Sequence, residues 1–305
     1  MLRKTLNRKS FLYSALKGFV GLKLFSVQDT LRQETKFGHR TIGKTGIKVS
    51  PVCFGAPRTN EESLLKYALS SGINFIDTGR SYGNGNNERL VGRAVSGIRK
   101  DLVIQTKIRL DPEAVPSGGK GRKGADEIKE ILSRNIDESL KALNTDYVDI
   151  LLYHDASQEN LLYHDETLKF FQDLKNSGVI RASGFSAHND YLTLHERNVK
   201  EHLYDVMMVP FNHKGSFIHS VTSRYSEWDQ ARLVRILGEA GEKGIGIIAM
   251  KTCSGGKYSP SPGVEPSFKE AVKWVISNPF VSSAAIAMAN FEQVDEYSVI
   301  LDRNS

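Results

Sequence analysis

Ile73-Asn74-Phe75-Ile76-Asp77-Thr78-Gly79-Arg80-Ser81-Tyr82 opens as a short apolar run, ends the run on an acid and sets a phenol just beyond it. The same arrangement returns twice downstream. The strand-like run 102–106 ends on Lys107, and the run 147–153 ends on His154. Short apolar runs between polar turns fit strands covered on both faces, as in a parallel sheet. In a parallel α/β barrel the C-terminal tips of all strands share one face, and that face carries the chemistry. Chain order alone therefore predicts that Asp77, Lys107 and His154 meet at one mouth, with Tyr82 just beyond the first of them.

Outward from that stretch, a two-part unit repeats. Helical patterns at 61–71, 88–95, 126–143, 166–176, 191–200, 228–242 and 267–277 each lead into an apolar run, at 73–77, 102–107, 147–154, 179–186, 206–211, 245–250 and 281–288. A last helix is expected at 292–301. Ile128, Ile131, Leu132, Ile136, Leu140 and Leu143 show the three- and four-residue spacing of a helix with one buried face. Ser71-Gly72, Ser177-Gly178, Lys243-Gly244 and Asn278-Pro279 mark the joins. Residues 39–55 alternate around Gly43 and Gly46, which predicts a hairpin under the barrel and a first strand ending near Gly55. Strict alternation favours parallel strands with right-handed crossovers. Eight units favour closure into an α/β (β/α)8 TIM barrel over an open doubly wound sheet. Long strand-to-helix loops are expected at 109–125, 210–227 and 251–266, on the catalytic face. The first is glycine-rich and basic but lacks the Gly-Lys-[Ser/Thr] end of a P-loop.

The chain has 305 residues, with 40% hydrophobic and 25% charged content, as in a globular protein. No run reaches the roughly 18 apolar residues of a membrane span. Cys53 and Cys253 alone give neither a disulfide framework nor a metal site. Eight of the 41 Lys/Arg and two of the 35 Asp/Glu lie in residues 1–38, so the remaining 33 of each cancel. The net charge of +6 belongs to that arm. A neutral body gives no reason to expect nucleic acid.

We therefore divide the chain into a basic arm, 1–38, and a barrel domain, 39–305. Arg8-Lys9-Ser10-Phe11-Leu12 resembles a relaxed twin-arginine export motif. The apolar stretch behind it is interrupted by Lys17 and Lys23, and no Ala-x-Ala site follows. Two readings stand: an export signal, which implies a periplasmic enzyme, and a basic arm on a cytoplasmic one that touches anionic lipid.

With the four strand-end residues and their order in view, the chain from about residue 39 resembles the aldo-keto reductases. In that family Asp, Tyr, Lys and His stand at these places. The resemblance implies reduction of a small-molecule aldehyde or ketone to an alcohol. Such a reaction needs a hydride, which a nicotinamide supplies, and a proton, which the protein supplies. A phenol with its ordinary pKa near ~10 is a weak acid at neutral pH. A cation beside it favours the phenolate. Lys107 is expected to be that cation, Asp77 its partner, His154 the donor to the carbonyl oxygen, and Tyr82 the general acid. Each has an ordinary structural reading when taken singly. His164, in the near-repeat Leu-Leu-Tyr-His-Asp of 151–155 and 161–165, shows how such a motif arises by chance.

The resemblance implies NADP or NAD as cofactor and no metal. It places cofactor contacts at Gly55, Ala56, Ser186, Met208, Met250, Lys251, Ser254 and Gln293. Several depart from the family. Ala187 replaces the usual asparagine, Met208 the glutamine, and Met250 the stacking aromatic. Gln293 and Ala287 stand where a 2′-phosphate clamp has Arg and Lys, which weakens the case for NADP over NAD. Lys251, Lys257 or the basic loop are the candidate substitutes. Ala249-Met250-Lys251-Thr252 is similar to a subgroup that often carries an iron–sulfur module, which two cysteines do not support here. The rival from another class is a barrel that keeps the nucleotide for regulation and turns over little.

Overall fold

The structure is a computed structural model, and it describes residues 38–301 apart from 112–114, 116–119, 189–191, 219–222 and 255–266. The basic arm, Lys257 and most of the 251–266 loop lie outside the described residues. A two-stranded antiparallel hairpin, β1 (Arg40–Thr41) and β2 (Lys48–Val49), comes first. Eight parallel strands then close a barrel: β3 (Val52–Gly55), β4 (Phe75–Asp77), β5 (Val103–Ile108), β6 (Val148–Tyr153), β7 (Ile180–Ser186), β8 (Val206–Pro210), β11 (Gly246–Met250) and β12 (Val281–Ala287). Between β8 and β11 lies a separate antiparallel ribbon, β9 (Ser216–Ile218) with β10 (Tyr225–Glu227). Pairing of β12 with β3 completes the ring. The helices outside it are α1 (Glu62–Ser70), α2 (Asn86–Ala94), α3 (Gly121–Leu143), α4 (Glu159–Leu162), α5 (Asp165–Asn176), α6 (Leu192–Glu201), α7 (Gln230–Lys243), α8 (Phe268–Ile276) and α9 (Phe291–Leu301).

Two apolar cores follow from the two-residue period of the strands. Phe75, Val103, Ile150, Leu152, Ala182, Val206 and Ile248 point into the barrel, together with Cys53, Met208 and Met250. Ile42, Ile47 and Val49 of the hairpin join this inner cluster and close the barrel floor. The alternate strand residues, such as Ile76, Ile104, Leu151 and Ile247, face outward to the helices. Helix ends are set locally. Asn144 and Gly244 stop α3 and α7 at left-handed φ of 52° and 80°. Ser267 and Glu270 start α8 with a capping box. Gly55 is needed for packing, since a Cβ there would meet the Ile286 carbonyl oxygen at 2.8 Å.

Two loops differ from expectation. Helix α3 begins at Gly121, five residues before the pattern suggested, so the 109–125 loop is shorter. Gly121 and Gly124 are weak helix formers and hid the start. The buried face from Ile128 onward suffices to carry the helix back through them. The 210–227 segment is not plain loop, because it contains the β9–β10 ribbon. Strands of three residues are too short to show an alternation.

Candidate active site

The inward period that fills the barrel also aims the polar side chains. Asp77 lies two residues beyond Phe75, Lys107 four beyond Val103, and His154 two beyond Leu152, all on inward positions. Asp77 pairs in register with Gln105, one inward position below Lys107. The Lys107 ammonium reaches across to Asp77 Oδ1 at 2.5 Å, the Thr78 carbonyl at 2.8 Å and Tyr82 Oη at 3.2 Å. Three donors thus meet three acceptors in a site where Lys107 is 1% exposed. Burial by itself pushes this ammonium down; Asp77 and then Tyr82 outweigh it, and the net direction is up, so Lys107 stays charged.

Backbone bonds beyond the strands carry Tyr82 to this point. Thr78 N–H donates to the Gln105 carbonyl and Arg80 N–H to the Lys107 carbonyl, extending the β4–β5 ladder past Asp77. Tyr82 N–H then donates to the Gly79 carbonyl and opens a 3-10 turn, Tyr82–Gly85. Gly85 has φ 81°, and a Cβ there would collide with the Arg80 guanidinium. The first turn of α2 locks the loop from behind. Asn87 accepts from Thr78 Oγ1 at 2.6 Å and donates to the Ala56 carbonyl at 2.7 Å. Glu88 accepts from Thr106 Oγ1 at 2.7 Å and pairs with Arg80 at 2.6 Å.

The phenol does not match one expectation. Burial raises Tyr82 above its ordinary value; Lys107 works against this but does not overcome it, and Asp77 adds to the rise. In this state Tyr82 is held as a protonated donor. His154 stands edge-on to Tyr82 with ring centroids 5.7 Å apart. Burial first, then Lys107, His188 and Arg109, keep its imidazole well below 6.5 and neutral. Ser81 Oγ lies 3.3 Å from His154 Nδ1. If the serine hydroxyl donates there, the ring proton sits on Nε2. The look-alike His164 serves a helix end instead, where its Nδ1 accepts from Glu166 N–H at 3.1 Å and caps α5.

The expected cofactor positions spread along the barrel rim from β3 through β7, β8 and β11 to α9. Gly55 and Ala56 end β3 and follow it, both buried. Ser186 is fully buried at the tip of β7, where its Oγ accepts from Asp155 N–H at 3.1 Å. Met208 and Met250 sit in the inner cluster, and Met208 Sδ lies 3.6 Å from Gln105 Nε2. Lys251 follows β11 at φ 58°, with its ammonium 5.0 Å from the Phe217 ring. Ser254 turns back by donating its N–H to the Lys251 carbonyl and accepting from Ile218 N–H. Gln293 is committed to a helix start: its Oε1 accepts from Ala289 N–H at 2.7 Å while its N–H donates to Asn290 Oδ1 at 2.9 Å.

Sequence reading missed Gln105, whose Nε2 donates to Asp77 Oδ1 at 2.6 Å. Its inward place two residues before Lys107 was the available signal. Asn87 and Glu88 gave none, because a helix start after a strained turn looks like any polar surface segment.

The mouth of the barrel thus holds a phenol, an ammonium, a carboxylate and a neutral imidazole, groups that can exchange protons. The aldo/keto reductase family model matches residues 54–270. The chain belongs to that family and is an oxidoreductase of the NAD(P)-dependent kind. L-galactose dehydrogenase from Arabidopsis thaliana is 28% identical over 301 residues, covering 86% of this chain and 87% of the relative. Among solved structures, an aldo-keto reductase from Bacillus halodurans in its holo form is 21% identical with a TM-score of 0.66, covering 86% and 91% of the two chains. Another from Klebsiella pneumoniae, in complex with NADPH, is 20% identical with a TM-score of 0.64 and coverage of 87% and 90%.

Proposed function

We propose that the protein reduces an aldehyde or ketone to an alcohol, with Tyr82 as the proton donor. The observation that carries this reading is the chain of contacts from Asp77 through Lys107 to the Tyr82 hydroxyl, at 2.5 and 3.2 Å. Lys107 holds the phenol oxygen and supports the negative charge left on it once the proton is given. Asp77 fixes the ammonium, and Gln105 fixes Asp77. With the Ser81 hydroxyl donating to Nδ1, a neutral His154 carries its proton on Nε2 and donates to the substrate oxygen, orienting it and stabilising charge as it builds there. In the reverse direction the phenolate takes the proton back.

The residues around the mouth also fit a nicotinamide nucleotide. Lys251 is half-buried and forms no ion pair among the described residues. Burial and then the nearby Arg58 lower its pKa, with Asp155 opposing. Two cations close together favour an anion between them, such as the phosphates of NAD or NADP. When bound, the nucleotide supplies the hydride. We read the barrel as the catalytic unit from residue 39 onward, with residues 1–38 as a separate arm or signal.

The test is a single turnover. The nucleotide that copurifies is identified, the protein is loaded with its reduced form, and an aldehyde panel is mixed in while absorbance is followed. Rapid oxidation supports the reductase. Tight nucleotide binding without oxidation would make the barrel a nucleotide-dependent regulator instead.

A further inference from the structure

Below the Tyr82 loop, a cavity of about 240 Å3 opens beside Lys107 and His154. Its walls carry Arg80, Arg109 and Arg134, against the single carboxylate of Asp111. The four cations are not equally available. Lys107 is committed to Asp77, and Arg80 pairs with Glu88 at 2.6 Å and Glu138 at 3.2 Å. Among the described residues Arg109 pairs only with Asp111, at 3.7 Å with both side chains half exposed, which is a weak pair. Arg134 forms no ion pair among the described residues. Arg109 and Arg134, the latter exposed on α3, therefore line the mouth of the site with Asp111 as the one carboxylate among the lining residues.

Both sit on firm supports. Arg109 directly follows β5, and its carbonyl accepts from Asn135 Nδ2 at 2.9 Å, which ties the strand end to α3. Arg134 precedes Asn135 on α3, and Ile131 adds an apolar wall one turn earlier. The charge of Arg109 is felt at His154, where it helps keep the imidazole neutral. The cavity lies against the tips of β5 and β6. Lys251, by contrast, follows β11, whose neighbours in the barrel are β8 and β12. That separates the arginines from Lys251, which we assign to the nucleotide.

Resting on the reductase reading above, we propose that the substrate carries an anionic oxygen group, a carboxylate or a phosphate. Arg109 and Arg134 hold that group while the carbonyl lies at Tyr82 and His154. Guanidinium groups bind such anions by paired charge-assisted hydrogen bonds, and a neutral analogue forfeits them.

The experiment compares matched aldehydes on the nucleotide-loaded protein: para-carboxybenzaldehyde against benzaldehyde, and glycolaldehyde phosphate against glycolaldehyde. The expected result is a kcat/KM about tenfold or more higher for the charged member of at least one pair. The pair that shows it distinguishes carboxylate from phosphate. The preference should shrink at high salt. Arg109→Gln and Arg134→Gln should each bring the ratio toward one. An unchanged ratio in both variants overturns the proposal and leaves the reductase reading intact. So does a loss of nucleotide affinity in Arg134→Gln as large as the loss of preference, since the arginines would then serve the cofactor. If no aldehyde is turned over, the reductase reading falls, and calorimetry decides the subsite alone. It compares para-carboxybenzyl alcohol with benzyl alcohol, and ethylene glycol monophosphate with ethylene glycol. Tighter binding of a charged member, lost in both variants, upholds the subsite; equal binding within each pair overturns it.

Discussion

Replacing Lys107 by Met removes the ammonium and keeps the length of the side chain. Asp77, 3% exposed, then retains, among the described residues, only Gln105 Nε2 at 2.6 Å as a side-chain donor. The Thr78 carbonyl and the Tyr82 hydroxyl lose their shared donor as well. Removing one member of a buried pair costs roughly 3–5 kcal/mol, mostly because the other charge is left without compensation. Lys107→Met is therefore expected to lower the unfolding free energy by about that amount at pH 7. Adding Asp77→Asn removes the stranded charge while keeping an acceptor for Gln105. The double variant should recover at least about 1.5 kcal/mol. Urea titrations followed by both circular dichroism and tryptophan fluorescence give the values and check two-state behaviour. A single variant within about 1 kcal/mol of the parent, or a double variant as unstable as the sum of its parts, would refute the reasoning.

Two further outcomes follow from the site. His154 is held well below 6.5 in the folded chain, so as pH falls through 6.5 the unfolded chain takes up a proton that the folded one refuses. Stability should fall on the acid side with a slope of up to about 1.4 kcal/mol per pH unit, absent at this site in His154→Gln; parallel pH profiles for the two proteins would show that the imidazole titrates normally. Gln293→Arg should shift relative affinity toward NADP about tenfold by supplying a cation for the extra phosphate. It should also cost roughly 0.5–1 kcal/mol, because Gln293 Oε1 no longer accepts from Ala289 N–H. Nucleotide titrations and thermal melts check both, and an unchanged NADP-to-NAD ratio would place the clamp elsewhere.

The barrel was legible because its strands are nearly continuous apolar runs and its helices keep a clear amphipathic spacing. The convergence of Asp77, Lys107 and His154 was legible for the same reason: strand ends in a parallel barrel share a face. Tyr82 needed more. Its place depends on the Thr78 and Arg80 backbone bonds to β5 and on a left-handed run through Gly83, Asn84 and Gly85. Those are tertiary facts that no periodicity carries. Gln105 was within reach of the two-residue period, whereas the Arg109–Arg134 pair was not, since it joins a strand end to a helix some 25 residues later. The sign of the Tyr82 shift was misjudged because burial, the larger effect, is a property of the folded chain.

The most direct measurement is a stopped-flow single turnover of Tyr82→Phe loaded with reduced nucleotide, against a reactive aldehyde. The phenyl ring keeps the packing and loses the proton. Nucleotide affinity should stay within about threefold of the parent while the oxidation rate falls by at least about a hundredfold. Turnover at the parental rate would contradict the assignment of the proton donor and, with it, the mechanism built on Asp77, Lys107 and His154.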